Sequence, residues 1–197
     1  MIRSQSQSDR LLVDFSTRFP TLFHVTWAAA VGAMKVEGVM SAQRLCERHG
    51  HGDPATLTAN RRRPVAIGPH LLRRQGMSDR ALRPRLDPSI TVEAWRFAIN
   101  GMVFLFPDLR SARRLVASEA RAQVILRFST AHLMRAVEIG VCRYNNGYVD
   151  RRPLSVARRR SFSDYQPVAD WAGTPVAEVV ATGAIPPSVP FTVLPLP

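Results

Sequence analysis

Two polar side chains share one face of an otherwise apolar segment near the start of the chain. His24 lies between Phe23 and Val25, and Thr26 follows two residues later. Because side chains alternate along a strand, His24 and Thr26 should point to the same face. An imidazole and a hydroxyl on one face can donate and accept hydrogen bonds to a ribose or an amide ligand. The competing interpretation is a core histidine whose hydrogen bonds are satisfied inside the protein.

A second anomaly is the carboxylate of Glu178 within the apolar run PVAEVVA at 175–181. In a strand, Glu178 shares its face with Val176 and Val180. A buried carboxylate costs several kcal/mol, roughly, unless it is hydrogen-bonded or protonated. An edge-strand charge that discourages aggregation or a salt bridge to an arginine would each explain it without function. A catalytic role requires that Glu178 share a cleft with His24.

Metal chemistry has weak support in the sequence. Cys46, His49 and His51 lie close together in CERHGH, but no second ligand pair follows at a suitable spacing. The other cysteine, Cys142, forms no CxxC pair with Cys46. We therefore predict no metal site and no disulfide framework.

The basic charge indicates a polyanionic partner. The chain has 27 lysines and arginines against 15 acidic residues, a formal net charge of +12, and nucleic acid is the obvious polyanion. One segment concentrates this charge beside two aromatic residues, Phe162 and Tyr165, that could stack an unpaired base. Its arginines are Arg151, Arg152, Arg158, Arg159 and Arg160. A solvated basic loop is an equally good interpretation of this segment.

Length and composition predict one domain. The 197 residues are 46% hydrophobic, which suits a single globular domain over 1–197. No apolar run approaches the roughly 20 residues of a membrane-spanning helix, and the N-terminus lacks the apolar stretch of a secretory signal. We expect a cytoplasmic protein with no membrane partner. The sequence also lacks GxGxxG, GxxxxGK[ST], HExxH and GxSxG motifs.

Periodicity and capping residues predict an α+β fold. The predicted helices cover 8–18, 27–38, 41–49, pieces of 70–86, 91–100, 108–120 and 130–137, with Ser41, Thr91 and Asp108 as N-caps. The predicted strands cover 21–26, 102–106, 122–129, 139–144, 175–181 and 191–194. The polar stretch 49–63 reads as an ordered surface loop or a lid. A helix within 1–20 and a proline-rich tail at 184–197 flank these elements. Helices and strands do not alternate regularly, which favours α+β over a doubly wound sheet.

Short motifs occur in a definite order along these elements. They are Leu22-Phe23-His24-Val25-Thr26, Gly38-Val39-Met40-Ser41, Val103-Phe104-Leu105-Phe106-Pro107, Asn145-Asn146-Gly147, and Ala177-Glu178-Val179-Val180 with Ile185-Pro186. In this order the chain resembles the DarT-type DNA ADP-ribosyltransferases over about residues 21–190. It is also similar to an uncharacterised bacterial family with the LFHVT opening, an LRxQ segment (here Leu72–Gln75), the aromatic strand and an Asn-x-Gly turn.

The resemblance implies an ADP-ribosyltransferase-like fold, a split and mainly antiparallel sheet flanked by helices, with NAD as co-substrate and no metal. His24 would bond the ribose of NAD. The Val25 backbone would hold the nicotinamide carboxamide, and Thr26 would complete that contact. Phe104 or Phe106 would stack on the cationic nicotinamide ring.

The same resemblance implies the catalytic residues. Glu178 would accept a hydrogen bond from the ribose 2′-hydroxyl and stabilise the oxocarbenium-like transition state as nicotinamide leaves. A catalytic arginine is expected between the first strand and the aromatic strand. The candidates are Arg61, Arg62, Arg63, Arg73 and Arg74, of which we favour Arg73.

The expected activity is transfer of ADP-ribose to a DNA or RNA base. An antitoxin or immunity protein would then be a further partner. The alternatives are a non-catalytic nucleic-acid-binding module on the same fold and a transferase that modifies protein. NAD binding separates the first alternative from the transferase, whereas salt-dependent binding of nucleic acid does not.

Overall fold

A computed structural model describes residues 5–118, 121–146 and 156–195, with side chains from residue 9 onward. Within these ranges the chain is an α+β protein, as predicted. Its helices are Gln5–Arg18 (α1), Val31–Glu37 (α2), Ala42–Arg48 (α3), Ala55–Thr58 (α4), Asp79–Leu82 (α5), Val92–Asn100 (α6), Leu109–Val116 (α7) and Thr130–Ala136 (α8). Its strands are Thr21–Trp27 (β1), Val39–Met40 (β2), Val65–Ile67 (β3), His70–Leu72 (β4), Met102–Leu105 (β5), Gln123–Ser129 (β6), Ile139–Cys142 (β7), Tyr165–Pro167 (β8), Glu178–Thr182 (β9), Ala184–Ile185 (β10) and Phe191–Leu194 (β11). None of the described helices has the length and apolar character needed to cross a membrane.

Two antiparallel sheets form the framework. The first has the strand order β1-β6-β11 and the second has the order β5-β9-β7-β8. In the described part of the chain, one backbone bridge joins them: the Phe23 N–H donates to the Phe106 carbonyl at 3.0 Å, and the Phe106 N–H donates to the Phe23 carbonyl at 2.7 Å. Beyond this bridge the two sheets separate, so the sheet is split.

A shared hydrophobic core lies against both sheets. Its buried residues include Leu22, Leu126 and Phe128 of the first sheet and Val103, Val141 and Val179 of the second. Helix α1 joins this core through Phe15, whose ring meets the edge of Trp171 at a centroid distance of 5.3 Å. A smaller cluster packs α7 on β1 and β6, with Ala112 fully buried.

Three helices begin at the N-cap residues that the sequence predicted. The Ser41 hydroxyl accepts a hydrogen bond from the Arg44 N–H at the start of α3. The Thr91 hydroxyl and the Asp108 carboxylate cap α6 and α7 in the same manner, with bonds of 3.1 and 2.7 Å. Each side chain satisfies a backbone donor that the first turn of a helix leaves unpaired.

The prediction that 70–86 is helical in pieces holds for the second half of this segment but did not include the strand at its start. Residues 70–72 form β4, which pairs with β3 across the turn at Gly68, and helix appears only from Asp79. Strand pairing depends on a partner segment, which helical spacing within 70–86 cannot reveal.

Two other segments are more ordered than their composition indicates. The proline-rich tail contributes β10, which pairs with β2, and β11, which pairs with β6. The polar stretch 49–63 contains helix α4, and the Asn100 side-chain amide donates to the Leu57 carbonyl at 2.7 Å. These contacts favour the ordered-loop interpretation over the lid.

Gly38 permits the turn that leads into β2. Its φ is +86° with ψ of 179°, and a Cβ atom there would lie 2.3 Å from the Ile185 carbonyl oxygen. Both the backbone conformation and the close approach exclude other residues.

We therefore expect Gly38→Ala to lower the free energy of unfolding by at least about 2 kcal/mol, from backbone strain and displacement of β10. Gly32→Ala is the matched control, because a Cβ atom on this helical glycine has nothing within 4 Å. It should stabilise the protein by about 0.5–1 kcal/mol. Urea unfolding of both variants measures the difference, and equal effects would refute the assignment.

Candidate functional site

A cleft of about 870 Å³ opens where the two sheets separate. Its wall includes all seven residues that were predicted from the resemblance to bind NAD or to act in catalysis: His24, Val25, Thr26, Arg73, Phe104, Phe106 and Glu178. They come from β1, from the segment after β4, from β5 and its end, and from β9. Elements far apart in the sequence therefore contribute to one cavity.

His24 holds the cleft open at the point where the sheets part. After the Phe23–Phe106 pair, an antiparallel ladder would next join Val25 to Phe104. Instead, His24 Nδ1 donates a hydrogen bond to the Phe104 carbonyl at 2.8 Å. The His24 side chain thus takes the Phe104 carbonyl, which a backbone N–H would use if the pairing of β1 with β5 continued. The backbone pairing of the two strands ends there.

The same hydrogen bond fixes the chemistry of the His24 ring. Burial lowers the pKa of His24 to about 4; the bond to Phe104 opposes this shift, and the charge of Arg73 adds to it. The ring is therefore neutral at pH 7. With its proton on Nδ1, it presents Nε2 as a hydrogen-bond acceptor, so a hydroxyl group is a suitable ligand.

Val25 offers both backbone hydrogen-bonding groups at the open edge of β1. The Phe23 N–H and carbonyl point away from β6, toward Phe106. Because backbone directions repeat every second residue, the Val25 N–H and carbonyl point to that same edge. An adjacent donor and acceptor of this kind match a primary carboxamide.

Aromatic and cationic side chains line the wall beside β1. The rings of Phe104 and Tyr165 meet edge to face at a centroid distance of 6.5 Å. The Arg73 guanidinium lies 4.5 Å from the centre of the Trp27 ring and donates to the Gln123 side-chain carbonyl. Arg73 is thereby held against the cleft wall.

The five candidate arginines have different environments. Arg61 donates to the Arg73 carbonyl at 3.2 Å and to the Asn100 side chain at 2.9 Å, and burial lowers its pKa to about 10. Arg61 therefore supports the wall. Arg62 and Arg63 are exposed and do not line the cleft, whereas the exposed Arg74 does.

Glu178 is buried in the interior of the second sheet. It begins β9, which lies between β5 and β7, so the edge-strand explanation of this carboxylate was wrong. Strand order depends on long-range pairing, which the local sequence does not encode. Tyr165 Oη donates to Glu178 Oε2 at 3.1 Å. Burial, together with the negative charge of Glu178, raises the pKa of Tyr165, so the phenol stays protonated and remains a donor.

Sequence reasoning missed Tyr165 as the partner of Glu178. It grouped this tyrosine with the basic segment as a base-stacking residue. The pairing of β8 with β7, and of Cys142 with Glu178 across β7 and β9, brings the two side chains together. No signal near either residue indicates this contact. Burial, together with the charge of Glu178, raises the pKa of the Cys142 thiol to about 12, so the thiol stays protonated at neutral pH.

Three of the predicted nucleic-acid-binding arginines lie among the described residues, and their environments differ. Arg158 pairs with Asp164 at 2.6 Å, donates to the Asn146 side chain at 2.7 Å and lies 3.7 Å from the centre of the Tyr144 ring. Arg160 is only 4% exposed. Interior partners and burial do not suit the phosphate-contacting role that was predicted for these two.

Of the other three arginines in that prediction, only one is among the described residues. Arg159 is exposed. Arg151 and Arg152, like Gly147 of the Asn-Asn-Gly turn, lie outside the described residues. Asn145 and Asn146 of that turn line the cleft.

The metal group suggested by CERHGH is not the one that the structure brings together. His51 is hydrogen-bonded to the Thr56 hydroxyl at 2.9 Å. Within the described ranges, the potential ligand group is instead Glu37, His49 and His70. Glu37 and His70 lie outside the predicted set, because the pairing of β3 with β4 and the contact of α2 with β4 bring them to His49 only in the folded chain.

One protein-family model matches residues 20–187, which are most of the chain. The chain belongs to DUF7002, a family of unknown function. The DUF7002 match includes β1, the aromatic strand β5 and the Glu178 strand, and therefore every residue of the cleft. No curated protein matches the sequence.

The neutral state of His24 predicts a pH dependence of stability. The folded protein holds the pKa near 4, below the ordinary value of 6.5, so the unfolded chain takes up a proton first as the pH falls. The stabilisation is present above pH 6.5 and is lost as the pH falls toward 4. Between pH 7 and pH 4.5 the loss should be roughly 2–3 kcal/mol.

His24→Gln removes this proton uptake and keeps a side-chain donor for the Phe104 carbonyl. Urea unfolding at the two pH values should therefore show a smaller loss of stability in the variant. The same acid dependence in both proteins would mean that His24 does not titrate in this manner.

Proposed function

We propose that this DUF7002 protein is an NAD-dependent mono-ADP-ribosyltransferase that modifies nucleic acid. The observation that carries the proposal is the shared cleft of His24, Phe104 and Glu178, three residues separated by more than 70 positions at each step. Each has a polar or aromatic group that suits a different part of an NAD molecule. The cleft volume of about 870 Å³ lies within the usual range for cofactor sites.

The edge of β1 suits the nicotinamide end of NAD. In the proposed complex, the Val25 N–H donates to the carboxamide oxygen, and the Val25 carbonyl accepts from the carboxamide nitrogen. Phe104 or Phe106 covers the cationic ring, since an aromatic face attracts positive charge. His24 Nε2 accepts a hydrogen bond from a ribose hydroxyl.

Glu178 supplies the charge that the reaction needs. Cleavage of the bond between ribose C1′ and the nicotinamide nitrogen sends the electron pair to the ring, which leaves neutral. The ribose then carries positive oxocarbenium character, which a fixed carboxylate stabilises. A nitrogen or oxygen of the acceptor base attacks C1′ and loses its proton to solvent. Tyr165 is a positioning residue, because its hydrogen bond holds the Glu178 carboxylate.

Cationic residues on the cleft wall suit the diphosphate of NAD. Arg73, Arg74 and Arg114 all line the cleft, and the last two are exposed. Guanidinium groups match phosphate oxygens in geometry as well as charge. The position of the Arg73 guanidinium over the Trp27 ring, in the cleft wall, supports the preference for this arginine.

Exposed arginines support nucleic acid as the acceptor. Helix α7 borders the cleft through Arg114 and also carries the exposed Arg110 and Arg113. Together with the net charge of +12, these residues would attract a phosphate backbone to the cleft. The same charge favours the second candidate function, a nucleic-acid-binding module that does not consume NAD.

Release of nicotinamide from NAD tests the proposal. Glu178→Gln keeps the size of the side chain and a hydrogen-bond acceptor for Tyr165 but removes the charge. Its rate should fall by about 100–1,000-fold, the range seen when one electrostatic stabiliser is lost. Glu138→Gln is the matched control, because Glu138 is exposed and lies outside the cleft, and its rate should not change.

The same assay identifies the acceptor when single-stranded DNA, duplex DNA, RNA or protein is added to separate reactions. Stimulation by one nucleic acid, with mass added to it, supports the proposal. Stimulation by protein alone would assign the protein-modifying alternative. If the wild type releases no nicotinamide and NAD does not raise its unfolding temperature, the transferase is excluded and the binding module stands.

A further inference from the structure

Three metal-binding side chains meet at the junction of α2, α3 and β4. Glu37 ends α2, His49 follows α3 and His70 begins β4. One carboxylate oxygen, Glu37 Oε2, lies 3.0 Å from His70 Nε2 and 3.4 Å from His49 Nε2. The potential ligand atoms of the three residues all lie within 4.8 Å of one another.

These spacings suit one small cation. Zinc binds histidine nitrogen and carboxylate oxygen at about 2.0–2.2 Å, so ligand atoms of a tetrahedral site are about 3.3 Å apart. The two Glu37–histidine distances bracket that value. Two imidazoles and one carboxylate are also a ligand set that zinc uses in proteins.

Each histidine of the cluster has one buried ring nitrogen without a hydrogen-bond partner among the described residues. His49 Nε2 is buried and makes no hydrogen bond that meets geometric criteria, although Glu37 is near, and His70 Nδ1 is likewise buried with no partner among the described residues. The His70 side chain is 2% exposed. Of these two nitrogens, His49 Nε2 is the one that faces Glu37. Buried imidazole nitrogens normally have partners, so this atom points to a group bound among the three side chains.

The surrounding structure fixes the ligands in position. Gly68, in the β3–β4 turn with φ of +54°, has no side chain, and a Cβ atom there would lie 2.6 Å from the His49 ring. The turn therefore packs directly on the imidazole.

We propose that Glu37, His49 and His70 bind one Zn²⁺ ion, with water as the fourth ligand. The inference is independent of the proposed transferase activity. The ion replaces the hydrogen bond between His70 Nε2 and Glu37, and it also takes the place of the close contact between His49 Nε2 and the same oxygen. Any proton on either Nε2 is released to solvent when the metal binds. Arg48, whose Nε lies 3.6 Å from Glu37 Oε2, competes with the metal for this oxygen. Its side chain is 53% exposed and can move into solvent.

Such an ion would stabilise this part of the fold, and its water ligand would leave one position open, as in zinc sites with three protein ligands. It would tie the β3–β4 hairpin to the ends of two helices, and β4 leads directly to Arg73 on the cleft wall. Because binding would occur only in the folded chain, its free energy would add to folding stability.

Zinc binding by tag-free protein tests the site. The protein is stripped with EDTA, dialysed and titrated with Zn²⁺ against a chromophoric chelator, with metal content measured by plasma mass spectrometry. We expect one Zn²⁺ per chain and a higher unfolding temperature with zinc. The Co²⁺-substituted protein should show the visible absorption of a four-coordinate site.

Variants connect the metal to these residues. His49→Ala and Glu37→Gln should each weaken zinc binding by more than about 100-fold, since loss of outer-shell partners alone costs 10–100-fold. His51→Ala is the matched control, because His51 is adjacent in sequence but bonded to Thr56, and it should bind zinc like the wild type. Arg48→Ala should bind zinc more tightly. Circular dichroism establishes that each variant is folded, and two ligand variants keep the test valid if one does not fold.

Several results would overturn the proposal. One is a wild type that binds no stoichiometric zinc at micromolar concentrations. Others are two ligand variants that both bind zinc as tightly as the wild type, and a His51→Ala variant that loses zinc binding. Preferential retention of iron by protein purified without chelator would assign a different metal to the three ligands and reject zinc.

Discussion

The arrangement of the whole cleft depends on which donor reaches the Phe104 carbonyl. At Phe23 and Phe106 the two sheets are joined by paired backbone hydrogen bonds. Two residues further, the imidazole of His24 supplies the donor that a backbone N–H would otherwise supply. One side-chain hydrogen bond thus converts a continuous sheet into a split one. It also leaves the polar edge of β1 available to a ligand, in a cavity where unpaired polar groups would otherwise be costly.

A buried arginine, Arg96, fixes the segment after β4, which forms part of the cleft wall. Arg96 is 1% exposed and donates to Asp79 at 2.6 and 3.0 Å, to the Met77 carbonyl at 2.8 Å and to the Gln75 side chain. Gln75 in turn exchanges hydrogen bonds with Arg61. The segment after β4 is therefore fastened to α6 by charged and polar groups. Arg96 is buried although Asp79 is half exposed, so the loss of its partners would leave an uncompensated charge in the interior. The segment therefore has little freedom to adopt another path.

The features that the sequence predicted well are those with local causes. Ser41, Thr91 and Asp108 cap helices because their side chains reach a backbone donor three residues away, and the common face of His24 and Thr26 follows from strand alternation alone. The burial of Arg160, the interior position of β9 and the Tyr165–Glu178 contact all depend on segments that meet only in the folded chain. The strand at His70 is of the same kind, since its hairpin partner overrides the helical spacing. The expectation that these residues share one site came from the resemblance. Periodicity predicted only the strand face on which each residue lies.

The pairing of distant segments has a consequence for how the protein acquires its cleft. Strand β1 pairs with β6 across about 100 residues of chain, and β5 pairs with β9 across more than 70. Such non-local contacts require large loops to close before they contribute stability, which makes folding slow. His24, Phe104 and Glu178 can therefore come together only after both sheets have formed. A fragment that ends before β9 would keep β1 and β5 but could not assemble the cavity, so ligand binding should be acquired in a single late step rather than gradually along the chain.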